Sequence, residues 1–411
     1  MNAYIAGAGM TRFGKYLDRG LKSLVAEAVE IALADAGIAK HELQAAYTGT
    51  AAAGIITGQV LVPGEVVLRN LGIGRIPVIN CENACATSST AFQQAAAMVS
   101  LGAYDVVLVV GYEKLYSADK QKTFSVFTGA VDVEDMDGVL QRLSQDLAAS
   151  GVRADLSETT SKRSIFMDVY ARMAHQYMQR SGATPRHFAM VSAKNSLHGS
   201  LNPKAQYQEA LSVEQVLAAP MISDPLTLPM CSPIGDGAAA LVLVSERKAR
   251  QLGLHNNGVR ILSSVLATGW DYTEQDTETA PEYAARLCYE ESGIGPQDLD
   301  VVELHDASAP AEVIYYELLG LAAKNEGYKL LERGATRLGG RCVVSPSGGL
   351  LRKGHPIGAS GCGQLVELTD QLRGRCGKRQ VQGARHALAE NGGGWIGNDV
   401  AAIVITALRR G

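Results

Sequence analysis

The 411 residues, 46% hydrophobic and 19% charged, supply enough material for two ordinary domains or one large duplicated unit. A net charge of −4 excludes the broad basic field of a nucleic-acid binder and leaves only local basic patches open for phosphates. The longest apolar runs, residues 106–110 and 238–244, are strand-length and far short of the roughly 20 residues a membrane helix needs.

The opening Met1-Asn2-Ala3-Tyr4-Ile5-Ala6-Gly7 has no basic stretch before a long apolar one. It reads as a first strand over residues 4–9, with no export signal. Next, Leu21, Leu24, Val25, Ala28, Ile31 and Ala32 recur at helical spacing over residues 21–36, and Gly37 stops that helix through a left-handed conformation. A strand begins near Ala45, and residues 105–111 form one that is apolar on both faces. From 115 to 232 the chain turns more polar, with helices over 164–180 and 187–198, and closes with Pro225, Pro229 and Pro233. This stretch reads as an insertion folded over the active face. Gly235-Asp236-Gly237 then opens a strand, residues 238–244, that rejoins the first sheet.

The later part repeats this grammar. Ala36-Gly37-Ile38-Ala39-Lys40-His41-Glu42-Leu43 leads into a strand, and so does Ser292-Gly293-Ile294-Gly295-Pro296-Gln297-Asp298-Leu299. The offset, 292 − 36 = 256 residues, pairs the first helix–strand unit of each half and points to duplication. Alternating strands and helices make this an α/β chain. Residues 1–114 with 233–250 form one half, 115–232 the insertion, and 251–411 the other half. Seven cysteines, an odd number without a CxxC pair, argue against a disulfide framework and a structural zinc site. A reducing cytoplasm suits such a chain.

Asn80-Cys81-Glu82-Asn83-Ala84-Cys85-Ala86-Thr87-Ser88-Ser89-Thr90 runs into an Ala-rich helix ending near Ser100. A cysteine at a helix start faces unpaired N–H groups and the positive end of the dipole, which favour the nucleophilic thiolate. Cys85 is therefore a candidate covalent catalyst, and simple packing is the alternative reading. Cys81, Cys231, Cys288, Cys342, Cys362 and Cys376 read as structural.

Ser347-Gly348-Gly349-Leu350-Leu351-Arg352-Lys353-Gly354-His355-Pro356-Ile357-Gly358-Ala359-Ser360-Gly361 packs five glycines and a proline into a rigid loop before a helix. A histidine fixed there can take a proton from a nucleophile. His305 ends the apolar strand at Val301-Val302-Glu303-Leu304, where open α/β sheets place ligands, and Asp306 is expected to cap the following helix. Gly392-Gly393-Gly394, read as a loop after a strand over 385–389, could offer N–H groups to an oxyanion or be a plain turn. Trp395, Phe124, Phe127 and Phe166 are taken as core rather than pocket.

With these stretches goes a fourth: Asn202-Pro203-Lys204-Ala205-Gln206, Pro220-Met221-Ile222-Ser223-Asp224-Pro225-Leu226 and Asp236-Gly237-Ala238-Ala239. In this order they resemble the thiolase superfamily, most closely its sterol-carrier-protein type and related acetyl-CoA acetyltransferases, over nearly the whole chain. The resemblance implies two duplicated halves, each a mixed five-stranded sheet, in a five-layer α-β-α-β-α core. It implies an acyltransferase using coenzyme A as co-substrate with no permanently bound cofactor, and a homodimer or tetramer. A small zinc-ribbon and OB-fold partner protein also accompanies some relatives of this type.

By the same resemblance Cys85 accepts the acyl group and His355 activates it. Backbone N–H groups of Cys85 and of Gly392, Gly393 and Gly394 hold the thioester oxyanion, and His305, with His355 or a bound water, holds the second oxygen. Arg172, Lys194 and Ser232 would contact coenzyme A. The chain departs from the pattern in lacking a second acid/base cysteine: its two family positions hold Glu390 and Ala307. His305, Glu390 or a group from substrate or partner would have to replace it. This favours cleavage of a bulky or aromatic 3-oxoacyl-CoA. A condensing acyltransferase, a non-catalytic acyl-CoA or lipid-binding scaffold and a retro-aldolase are the alternatives.

Overall fold

The computed structural model describes all residues except 152–155, 157–158, 160–162, 255–257 and 274. Five strands belong to the first half: β1 (Ala3–Met10), β2 (Ala45–Gly49), β3 (Val78–Cys81), β4 (Val106–Glu113) and β5 (Gly237–Ser245). Five belong to the second: β6 (Val259–Ala267), β7 (Val301–Glu303), β8 (Val343–Val344), β9 (His386–Ile396) and β10 (Asp399–Arg410).

The spatial order is β3-β2-β4-β5-β1 in the first half and β8-β7-β9-β10-β6 in the second. In both, the first three strands are parallel and the last two are antiparallel additions. The topologies therefore coincide strand for strand. Both expected start signals also match: Gly37 and Gly293 end their helices at φ +63° and +71°, and each is followed by a short 3₁₀ turn and a parallel strand. The sheets are not separate, however. Ala3↔Ile261, Tyr4↔Arg260 and Ile5↔Val259 join β1 to β6 antiparallel, making ten strands continuous.

Four helices complete the layers: α1 (Leu21–Ala36), α2 (Thr87–Ser100), α3 (Ala280–Ser292) and α4 (Ser360–Leu372). Leu24, Val25 and Val29 of α1 pack on Leu108, Val110 and Val242 at one outer face. Ala284, Ala285 and Cys288 of α3 pack on Leu388, Ile405 and Ala407 at the other. Between the sheets, Phe92 and Ala95 of α2 and Leu365 and Leu368 of α4 share one core with Ile5, Val107, Leu241, Ala387 and Leu408. This is the expected five-layer order. Both faces of each sheet are covered, which explains why the strands read as unbroken apolar runs.

The insertion's helices, Ile165–Ser181 and Pro185–Ser200, set Tyr177 and Phe188 into the second half's outer core. Among the described residues no helix is long and apolar enough to cross a membrane. One expected loop is instead strand. β9 continues through Glu390 to Ile396 because β10 pairs with it all the way, from Glu390↔Ile405 through Gly393↔Ala402 to Trp395↔Val400. Only Gly394, at φ +67°, leaves the ladder.

Candidate active site

The parallel strands β2, β3, β4 and β7 all point their C-terminal ends toward one region, the usual ligand address of an α/β sheet. Cys85 lies just past β3, in a 3₁₀ turn (Ala84–Ala86) before α2. Asn83 holds that turn: its N–H donates to Thr87 Oγ1 (2.9 Å) and its amide to Thr90 Oγ1 (3.0 Å). Ala84 sits at φ +48°, a strained conformation for a residue with a Cβ. From the other half, β9 comes against the same turn. A Cβ on Gly393 would lie 2.2 Å from Asn83 O and 2.5 Å from Ala86 N, so only glycine permits this approach.

His355 is anchored on both sides by buried carboxylates. Before it, Lys353, fully buried, pairs with Glu303 at 2.9 Å, and Ser347 donates to the same carboxylate at 2.7 Å. After it, Gly358 N–H donates to Glu113 at 3.0 Å. The imidazole Nε2 lies 3.3 Å from Cys85 Sγ and Nδ1 lies 2.7 Å from Ser360 Oγ. The Ser360 hydroxyl spends its one proton on Pro356 O at 3.0 Å. It can therefore only accept from His355, which places the ring proton on Nδ1 and leaves Nε2 free to receive the thiol proton.

His305 stands beside them, its ring centre 5.2 Å from that of His355 and roughly edge-on. Its backbone N–H donates to Glu390 Oε2 at 2.9 Å, while its buried Nε2 has no hydrogen-bond partner among the described residues. Donor atoms of Cys85, His305 and His355 all lie within 4.8 Å of one another, a soft N/S set of the type zinc accepts, and one in which the sulfur is already hydrogen-bonded.

Burial governs the charges. It pushes the Cys85 thiol up to about 12, helped by Glu113 and Glu82, and outweighs the N–H groups of Cys85 and Gly394 that favour thiolate. The resting group is thus a thiol, contrary to the expectation from a helix start. The reason is local: α2 begins only at Thr87, so Cys85 lies ahead of the helix, and the surrounding protein desolvates its sulfur. Burial also lowers His305 to about 4, and burial, His305 and Lys353 together hold His355 well below its usual value. Near neutral pH the thiol and both imidazoles are therefore uncharged.

These groups form one wall of a cavity of about 890 Å³. Phe124, Phe127, Phe166 and Trp395 line it, so the reading of these aromatics as core is corrected. Gly392, Gly393, Gly394 and Ser232 line it too. Three other expected positions differ. Lys194 is spent on Glu312 (2.6 Å) and Val344 O (2.8 Å), and Arg172 on Asp146 (2.5 Å) and the Trp395 ring (5.2 Å); neither lines the cavity. Both therefore stand outside the cavity with their charges paired, whereas Ser232 lines it. Asp306 does not cap the helix after it. It accepts Leu350 N–H at 2.7 Å and so holds the short helix Gly349–Lys353 beneath His355.

Glu390 also stays behind the cavity wall, fully buried, where desolvation raises it to about 8. Tyr170, Tyr315, Arg163 and Arg352, none of them singled out from the sequence, line the cavity, and so does Cys231, which had read as structural. A signal for Tyr170 was present: Phe166, Val169, Tyr170 and Met173 recur at helical spacing and all line the cavity.

Two family models match, thiolase N-terminal domain over residues 3–247 and thiolase C-terminal domain-like over residues 269–406. The chain is 36% identical to sterol carrier protein 2 of Bos taurus over 99% of its own length and 72% of that protein. It is 37% identical to benzoylsuccinyl-CoA thiolase subunit BbsB of Thauera aromatica, covering 92% of this chain and 91% of that one. Among solved structures, the Ltp2-ChsH2(DUF35) aldolase is similar at TM-score 0.79 and 25% identity over 100% of this chain and 98% of that one. Human mitochondrial 3-ketoacyl-CoA thiolase in complex with CoA shares the fold at TM-score 0.67 and 15% identity over 100% and 98% of the two chains. Duplicated sheets, a cysteine in the turn before one central helix, a histidine before the other and two family models spanning the chain agree: this protein belongs to the thiolase family.

Proposed function

We propose that the chain is a thiolase-type acyltransferase that cleaves a bulky or aromatic 3-oxoacyl-CoA, or forms it in reverse, through an acyl group carried on Cys85. The observation that carries this reading is the line Pro356 O–Ser360–His355–Cys85, which orients one imidazole lone pair at one thiol. On attack, His355 takes the thiol proton and the sulfur bonds to the 3-oxo carbon. N–H groups of Cys85 and the Gly392–Gly394 stretch of β9 face the developing oxyanion, and His305 Nε2 faces the second oxygen. The aromatic lining supports a bulky acyl group, as does likeness to a benzoylsuccinyl-CoA thiolase subunit.

Coenzyme A serves as co-substrate, and a homodimer or tetramer is the working assembly. A small partner protein of the zinc-ribbon and OB-fold kind belongs to the proposal, supported by the paired Ltp2-ChsH2(DUF35) relative and by the subunit status of BbsB. The same aldolase relative favours a second reading, C–C cleavage without an acyl-enzyme. Intact-protein mass spectrometry after rapid mixing with acyl-CoA and 3-oxoacyl-CoA thioesters separates them. A mass gain on Cys85, absent in Cys85→Ala, is expected; C–C cleavage with no gain would favour the aldolase.

A further inference from the structure

Thiolase chemistry needs a second group to hand a proton to the departing carbon and to take one from coenzyme A. The family's cysteine positions are occupied by Ala307 and Glu390. Ala307 carries no proton, and Glu390 does not reach the cavity surface. Something must connect Glu390 to the substrate.

Tyr315 is placed to do so. It lies on the helix Ala309–Leu318, one turn beyond Ala311, and both residues face the cavity. Its hydroxyl and the Glu390 carboxyl both lie beside Gly392. A Cβ on that glycine would stand 3.3 Å from the Tyr315 hydroxyl and 3.6 Å from Glu390 Oε1, so both polar atoms border the same small space. Glu390 Oε2 is engaged by His305 N–H, whereas Oε1 is fully enclosed and makes no well-aligned hydrogen bond among the described residues. A carboxyl oxygen sealed in protein, with a cavity-lining phenol as its route outward, is a costly arrangement unless it handles a proton.

We propose that Tyr315 is the second acid/base of this site, passing protons between the substrate and the buried Glu390. The inference rests on the acyl-Cys85 reading. During cleavage the Cys85 sulfur bonds to C3, the C2–C3 bond breaks, and its electron pair goes to C2 of the departing thioester. Tyr315 gives its hydroxyl proton to C2 and recovers one from the Glu390 carboxylic acid. In the second half, the coenzyme A thiol gives its proton to the Tyr315 oxygen as Tyr315 returns its own to the Glu390 carboxylate. The sulfur so released attacks the acyl carbonyl, and Cys85 leaves as thiolate to take back the proton that His355 holds. Every proton is returned, and no further reagent is needed. Burial keeps Glu390 largely in its acid form near neutral pH, as the first half requires, and keeps Tyr315 from ionising, so the phenol shuttles rather than stores. Tyr315 is the catalytic residue here; Glu390 acts through it and is a positioning residue.

The test uses the full chain with acetyl-CoA and phenylacetyl-CoA in D₂O, following two signals: acyl mass on Cys85 and deuterium entering C2. Acylation by an acyl-CoA expels coenzyme A as a thiolate that water can protonate once it has left, so this step leans chiefly on His355, while exchange at C2 needs the second acid/base. Tyr315→Phe is expected to slow exchange about 100-fold or more and Cys85 acylation by at least about tenfold less than that. Glu390→Gln should slow exchange about tenfold or more, again with the smaller effect on acylation. Gly392→Ala, which puts a methyl between the two groups, should follow Glu390→Gln. Wild-type exchange in Tyr315→Phe would overturn the relay, and so would equal loss of both signals in a variant whose thermal unfolding is unchanged. A wild type that never acylates Cys85 would remove the acyl-enzyme reading itself, and the relay with it.

Discussion

The two halves approach the site through the same device and use it differently. Each has a 3₁₀ turn directly before a central helix: Ala84–Ala86 before α2 and Ile357–Ala359 before α4. The middle residue is Cys85 in one and Gly358 in the other. In the first half the turn presents a sulfur to the cavity. In the second it is pressed into its neighbours, where a Cβ on Gly358 would lie 2.8 Å from both Thr50 Cα and Tyr112 O. The buried carboxylates repeat the contrast. Glu113 on β4 accepts from Thr50, Ala51, Ala52, Lys114 and Gly358, at 2.9–3.3 Å. Glu390 on β9 accepts one well-formed bond, from His305. Duplication supplied two equal scaffolds; one set of positions became framework and the other chemistry.

If that division holds, substitutions in the two turns must fail in different ways. His355→Ala, with the nucleophile intact, should slow Cys85 acylation by about 10²–10⁴-fold and leave the unfolding midpoint close to wild type. An unchanged acylation rate in a quenched-flow mass measurement would break the assignment of His355 as base. Gly358→Ala should do the reverse in origin, destabilising by about 1–3 kcal/mol because backbone atoms cannot yield to the methyl. Urea unfolding reads that directly, and a stability equal to wild type would mean the second turn is not a packing device.

The carboxylates sharpen the comparison further. Glu113→Gln turns one acceptor oxygen into a donor facing N–H groups, and a loss of about 2–3 kcal/mol is expected. Glu390→Gln should instead change how stability depends on pH. The Glu390 carboxyl rises from 4.5 to about 8 on folding, so between these values the unfolded chain releases a proton that the folded chain keeps. Stability from this group is complete below pH 4.5 and is lost as pH climbs toward 8. Urea midpoints at pH 5 and pH 8 should fall by less in Glu390→Gln than in wild type. Equal falls would mean the buried carboxyl is already ionised at pH 5.

The sequence made the scaffold legible because burial on both faces writes strands as plain apolar runs, and because Gly37 and Gly293 mark equivalent helix ends. Cys85, His305 and His355 were legible since each ends or precedes a regular element, and the fold brings all three within hydrogen-bonding range of one cavity. Charge partners were not. Lys194 and Arg172 look like free cations until Glu312 and Asp146, respectively 118 (312 − 194) and 26 (172 − 146) residues away, come alongside. Nor was ionisation: a helix start favours thiolate, yet desolvation by the surrounding protein, together with Glu113 and Glu82, opposes it. Tyr315 escaped notice because it sits on a helix, Ala309–Leu318, while Glu390 sits on the distant strand β9, and no local pattern joins them.

Ser360 offers the finest test of the asymmetry, since it belongs to α4 yet acts on Cys85 of the other half. Its hydroxyl is committed to Pro356 O, and that commitment fixes the His355 tautomer. Ser360→Ala removes the acceptor for Nδ1–H without touching the Cys85–His355 contact. The imidazole can then adopt the opposite tautomer, in which Nε2 carries a proton and points a donor at a thiol. One neutral hydrogen bond is worth about 0.5–1.5 kcal/mol, so acylation should slow by about three- to tenfold. Ser360→Thr, which restores a hydroxyl at the same atom, should recover most of that loss if the added methyl is accommodated. A Ser360→Ala variant acylating at the wild-type rate would mean that Lys353 and His305, the other groups acting on His355, suffice to orient it, and that the second half contributes its base without help from α4.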